Sequence, residues 1–179
     1  GVSITKTGPK QAMAGQPVNY IFSNIANTSN VMLTSFYWRD VLPNQVRLNT
    51  IITGTYNFAG TYKIVYRTNT SNGEYRAMYD NLSTQKNYTL AASGAALGLA
   101  SNEYITEIMF VFGQVPGGFS QVEKPMIYCT ALSYISASSF TNTADVGGVY
   151  NGQWVQAVSR WVTTVYKKPV VPTLPKTGY

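Results

Sequence analysis

Histidine is absent from the 179 residues. That removes serine–histidine and cysteine–histidine nucleophile pairs, histidine general bases and nearly every zinc site. Cysteine occurs once, as Cys129 in the apolar run Met126-Ile127-Tyr128-Cys129, so no internal disulfide can form. No charge in that run favours a thiolate, and Cys129 reads as a buried structural residue. Only seven acidic residues are present, and none is spaced as a DxDxD calcium loop requires. The chain therefore reads as non-enzymatic, with no metal and no cofactor expected. Basic residues outnumber acidic ones, for a net charge of +6. They are scattered and form no basic–aromatic motif, which argues against a nucleic-acid partner. No apolar stretch is long enough to span a membrane.

What is present is strand-forming. Tyr, Val, Ile, Thr and Phe recur in short runs broken by Gly, Asn, Ser and Pro. The pattern predicts strands near 2–7, 18–23, 31–40, 47–56, 61–67, 74–79, 87–90, 104–112, 125–134, 138–146 and 154–166. Turn chemistry separates them at Gly8-Pro9, 27–30, Ser71-Asn72-Gly73, Pro116-Gly117-Gly118, Gly147-Gly148 and Asn151-Gly152. Asn151-Gly152 between two apolar runs is the strongest hairpin signature. Only 91–100 has helix-like composition, and its glycines limit it to a short helix or a 3₁₀ turn. At this length roughly 70% of the unfolded surface is buried on folding, so the core needs no disulfide.

Strand alternation singles out three polar residues. Val2, Ile4 and Lys6 share one face; Phe36, Trp38, Asp40 and Leu42 another; Phe140, Asn142, Ala144 and Val146 a third. If those faces point inward, a lysine, an aspartate and an asparagine are buried among apolar side chains. Leaving them unpaired there costs several kcal/mol each (of order 2–7 for a neutral group), so they should meet. The alternative is that Lys6 reaches the rim, Asp40 pairs with Arg39 or a backbone amide, and Asn142 caps a turn.

The opening ITKTG with AGQ-x-V-x-Y, the asparagine-rich turn at 27–30, the strand ending Arg39-Asp40-Val41-Leu42-Pro43, and Thr141-Asn142-Thr143-Ala144-Asp145-Val146 resemble a bacterial surface-protein repeat family. That family is known as domain of unknown function eleven, and its members are immunoglobulin-like sandwiches akin to collagen-adhesin stalk modules. The resemblance covers roughly the first quarter and last fifth of the chain. It implies an all-β, immunoglobulin-like β-sandwich over 1–168 with a large inserted β region at about 45–133, either an enlargement of the sandwich edges or, as the favoured expectation, an insertion packed against the sandwich. It also implies an autocatalytic isopeptide bond from Lys6 to Asn142, with Asp40 as the acid. Glu103 and Glu107 are spare candidates for that acid. They could also supply the paired carboxylates of an inserted hydrolase, although their even spacing suits a strand edge better.

Near the C-terminus a Pro-rich spacer, 169–173, precedes Leu174-Pro175-Lys176-Thr177-Gly178. These five residues resemble the LPxTG sorting signal of Gram-positive surface proteins. The resemblance implies cleavage between Thr177 and Gly178 by a sortase, and transfer of the Thr177 carbonyl to an amine of a cell-wall peptidoglycan precursor. The family's signal continues into an apolar segment and a basic tail, whereas Tyr179 is the last residue here. A sortase must thread extended, exposed peptide, and the prolines keep the spacer non-helical. The expected location is the cell wall, and the expected role a wall-proximal stalk or adhesin module. The runner-up is a module that binds carbohydrate or host matrix protein, presented by the inserted region with its aromatic side chains. Trp161-Val162-Thr163-Thr164-Val165-Tyr166-Lys167 faintly resembles a pilin lysine motif but lacks its proline, and no pilin glutamate box is recognisable.

Overall fold

Period-two burial organises the protein. In the computed structural model, which describes residues 1–169 together with Pro172, Leu174 and Pro175, twelve strands alternate between core and solvent. They are β1 (Val2–Thr7), β2 (Gln11–Ala12), β3 (Pro17–Asn27), β4 (Leu33–Val41), β5 (Val46–Ile52), β6 (Thr61–Thr68), β7 (Arg76–Ser83), β8 (Thr89–Ala91), β9 (Ile105–Val115), β10 (Met126–Ala131), β11 (Ser139–Tyr150) and β12 (Gln153–Val165). One sheet runs β1-β3-β10-β5-β8, and the other β2-β12-β11-β4-β9-β6-β7. All pairings are antiparallel except β2 with β12. The two inner faces make the core, giving the all-β sandwich that the sequence implied.

Aromatic side chains fill the space between the sheets. Trp38 stacks on Phe110 with ring centroids 4.1 Å apart and leans on Phe22 at 4.7 Å. Its indole N–H donates to the buried Tyr56 hydroxyl at 3.1 Å, and that hydroxyl donates to Thr53 O at 3.2 Å. A second cluster joins Phe36, Tyr56, Tyr62, Phe112 and Phe119. Such rings supply large buried area, and their polar handles are satisfied within the core where a neighbour is in reach.

The middle of the chain departs from its expected packing. It enlarges the sandwich itself instead of lying against it: β5, β8 and β10 extend one sheet, and β6, β7 and β9 the other. The physical reason is that β9 and β10 hydrogen-bond directly to β4 and β3, which leaves no sheet edge between the terminal pieces and the middle. The 91–100 segment is a set of turns, and none of the described residues is helical. Leu97 N–H donates to Ser93 O and Leu99 N–H to Gly94 O, one turn that ends at Gly98 with φ +71°.

Two local features position the site. Asn151 and Gly152, at φ +52° and +75°, turn β11 directly into β12 with Tyr150 opposite Gln153. At the other end, Gly8-Pro9 carries the chain from β1 in one sheet to β2 in the other. Trp161 Nε1 and Thr163 Oγ1 of β12 both donate to Pro9 O, at 2.8 and 2.9 Å. That crossing holds β1 against the second sheet, where Lys6 N–H donates to Ser159 Oγ at 3.0 Å.

Candidate functional site

Lys6 lies in β1, opposite Phe22 of β3, and points between the sheets. Asp40 lies in β4 opposite Ala144 of β11, so Asn142 is its diagonal neighbour on the same inward face. All three residues are buried: Lys6 is 2% exposed, Asp40 and Asn142 0%. The Lys6 amine donates to Asp40 Oδ1 in a short contact between side chains that are both fully buried. Two aromatic faces flank the amine, with Tyr20 at 4.2 Å and Phe22 at 4.5 Å from ring centroid to Nζ.

The electrostatics follow from the dry surroundings. Burial lowers the Lys6 amine from its ordinary value and raises the Asp40 carboxyl, and their mutual attraction opposes both shifts. Cys129, whose thiol burial pushes well up, completes the apolar wall beside them and stays a thiol. Six buried side-chain polar atoms among the described residues have no hydrogen-bond partner. Four of them are here: Tyr20 Oη, Asp40 Oδ2, Asn142 Oδ1 and Asn142 Nδ2. Buried polar groups are nearly always paired, so this concentration singles the place out within the core.

The alternatives do not describe these residues. Lys6 is not at the rim, and Asn142 sits inside β11 and caps no turn. Arg39 pairs with Asp145 and not with Asp40, through Nε–Oδ1 at 2.8 Å and Nη2–Oδ2 at 3.0 Å. The spare acids lie elsewhere too. Glu103 accepts from Thr68 and Thr70, which hold its carboxyl below the ordinary range, and pairs with Arg76 at 2.9 Å. Glu107 pairs with Arg67 at 3.0 Å and with Arg39 at 3.6 Å. Each of these acids is bound to an arginine, so neither is a free partner for hydrolysis.

A second polar constellation, which strand alternation alone did not separate from ordinary cross-strand pairing, covers the outer face of the larger sheet. Tyr37, Arg39, Arg67, Tyr75, Trp154 and Gln156 line an open groove of about 530 Å³. The Tyr37 hydroxyl donates to Asp145 at 2.7 Å and the Tyr75 hydroxyl to Glu107 at 2.9 Å, so the floor is fixed by its own hydrogen bonds. Burial and then the Asp145 carboxylate push the Tyr37 phenol up to about 12. Trp154 stands 59% exposed at the edge. Of the sorting-motif residues, Leu174 and Pro175 are exposed, while Lys176, Thr177 and Gly178 lie outside the described residues.

No family model and no curated protein matches the sequence. Solved structures do match in fold. The full-length major pilin SpaD from Corynebacterium diphtheriae aligns over 91% of this chain and 35% of its own, at 13% identity and a TM-score of 0.50. Domains D2 and D3 of the same pilin align over 90% of this chain and 52% of theirs, with the same identity and score. The collagen-binding domain from a Staphylococcus aureus adhesin aligns over 93% of this chain and 99% of its own, at 11% identity and a TM-score of 0.41. This chain thus spans about a third of the length of the full-length pilin it matches. At such identities the likeness is one of fold alone: the protein is an all-β sandwich similar in fold to domains of the pilin SpaD.

Proposed function

We propose that this chain is a stalk or adhesin module of a sortase-anchored bacterial surface protein, closed by an intramolecular isopeptide bond between Lys6 and Asn142. The observation that carries the proposal is the burial of an amine, a carboxyl and an unsatisfied primary amide in one dry pocket. Burial favours the neutral pair, a free amine beside a carboxylic acid, over the ion pair. The Lys6 nitrogen attacks Cγ of Asn142 while the acid form of Asp40 hydrogen-bonds the amide. The C–N bond to Nδ2 then breaks. The Lys6 nitrogen gives up one proton, the departing nitrogen gains one through Asp40, and ammonia leaves. Atoms and charge balance with no oxidant and no cofactor.

The product joins β1 of one sheet to β11 of the other. A proteolytic digest analysed by tandem mass spectrometry tests it, because the account requires a branched peptide linking the segments around Lys6 and Asn142. Recovery of those segments only as separate linear peptides contradicts it. The anchoring half rests on Leu174-Pro175-Lys176-Thr177-Gly178 behind the Pro-rich spacer. Incubation with a sortase and a glycine nucleophile should release Gly178-Tyr179 and add the nucleophile to Thr177, and an intact chain afterwards contradicts that half. The wall peptidoglycan precursor is the natural acceptor under this reading, and the cell wall its location.

The outer groove favours a second reading. Exposed Trp154 beside Tyr37, Tyr75 and two guanidinium planes is a surface suited to a host glycan or matrix protein. Saturable binding that is lost in Trp154→Ala but survives removal of the sorting motif would assign the module a ligand in addition to its stalk role.

A further inference from the structure

Resting on the isopeptide reading, we propose that Tyr20 is a fourth catalytic residue, whose phenol O–H holds the carbonyl oxygen of Asn142 as the tetrahedral intermediate forms. Asp40 cannot do this alone. It must take a proton from the lysine nitrogen and deliver one to the departing nitrogen, so during collapse its O–H is engaged away from the oxygen. A second O–H donor is needed for the developing oxyanion.

Tyr20 meets the requirement on independent grounds. It is 0% exposed, its ring lies 4.2 Å from the attacking amine, and at Gly8 it meets Trp161, the residue opposite Asn142 in the β11–β12 pairing. That hydroxyl has no well-formed hydrogen bond, and neither does either amide atom of Asn142. Donor and acceptor are therefore both unspent in the same buried pocket. Thr163 cannot substitute, because its own hydroxyl proton goes to Pro9 O at 2.9 Å. Burial raises the Tyr20 phenol well above its ordinary value of 10.0, so it stays a proton donor through the physiological range.

The ring is also held still. A Cβ added at Gly8 would meet Tyr20 Cδ1 at 2.7 Å and Trp161 Cδ1 at 3.0 Å, so backbone at the β1–β2 crossing presses directly on the ring. A fixed donor contributes more at an oxyanion than a mobile one, because no reorganisation accompanies the reaction.

The test is the time course of ammonia loss in freshly translated full-length chain, followed by intact mass. Tyr20→Phe keeps the ring and removes the one oxygen. Its cross-linking should be about 100-fold slower than wild type, the usual effect of removing one oxyanion donor. 3-Fluorotyrosine at position 20 retains the O–H and should restore the wild-type rate. Near-ultraviolet circular dichroism separates the donor from mere packing, since a fold defect in Tyr20→Phe would show there. Equal rates for wild type and a folded Tyr20→Phe overturn the role of Tyr20 while leaving the isopeptide intact. A wild type that never loses ammonia overturns the isopeptide reading itself, and the Tyr20 proposal with it.

Discussion

A buried amine and a buried carboxyl hold each other in place, and removing one partner strands the other. Asp40→Ala leaves the Lys6 amine among Tyr20, Phe22 and Cys129 with nothing to accept its protons. It should block cross-linking and leave the chain about 3–5 kcal/mol less stable than Asn142→Ala, which also lacks the bond but keeps the pair, the range measured when a buried pair is broken. Adding Lys6→Met to the same chain should recover most of that loss without restoring the bond, because an apolar side chain needs no partner there. Urea unfolding of the two variants checks this. Equal stability of Asp40→Ala and the double variant would show that Lys6 escapes to solvent when its partner is gone. At this scale the site was partly legible in the sequence. Strand alternation turned Lys6, Asp40 and Asn142 inward, because a period of two is insensitive to which strands eventually pair. Tyr20 was not legible, since a tyrosine at a core position of a strand looks like any other aromatic until its hydroxyl is seen without a partner.

At the scale of elements, turns fix which strands can lie side by side. The β11–β12 hairpin places Asn142 opposite Trp161 and keeps the site at the centre of the larger sheet. Its two-residue loop demands left-handed backbone at Gly152, where φ is +75°. Gly152→Ala should therefore lower stability by about 1–2 kcal/mol, through the clash of Cβ with the following carbonyl. A shift of thermal midpoint reads this out, and an unchanged midpoint would mean that the turn relaxes to another type. The Asn-Gly pair announced this hairpin in the sequence because the requirement is local. The distribution of β5 to β10 over both sheets was not announced. Pairings such as β9 with β4 and β10 with β3 join residues far apart in the chain, and no local pattern encodes the partner. The same holds for β2, two residues whose pairing with β12 comes only from the crossing at Gly8-Pro9.

For the molecule as a whole, two behaviours follow from a dry, aromatic core and the proposed covalent tie. Burial raises Cys129, Tyr20 and Tyr56 above their ordinary values of 9.0, 10.0 and 10.0. Above pH 9 the unfolded chain releases these protons while the folded chain keeps them, so the unfolded state binds fewer protons and stability falls as pH rises. Each group adds about 1.4 kcal/mol of lost stability per pH unit once its unfolded form has titrated. Urea midpoints at pH 8, 9.5 and 10.5 should decline progressively, and a flat profile would contradict the burial. The proposed tie acts on force. A bond from Lys6 to Asn142 would remove the intervening chain from the load path, about 460 Å of contour at ~3.4 Å per residue. Stretching between the termini should release that length in Asn142→Ala and not in the wild type.

The central claim is that Lys6 and Asn142 are joined, and intact mass of the purified chain beside Lys6→Ala tests it most directly. The account predicts a wild type lighter than its sequence by one ammonia and a Lys6→Ala chain at its full sequence mass. A wild type at full sequence mass would contradict it, leaving Lys6, Asp40 and Asn142 as a buried polar cluster and the strength of the module to strand pairing alone.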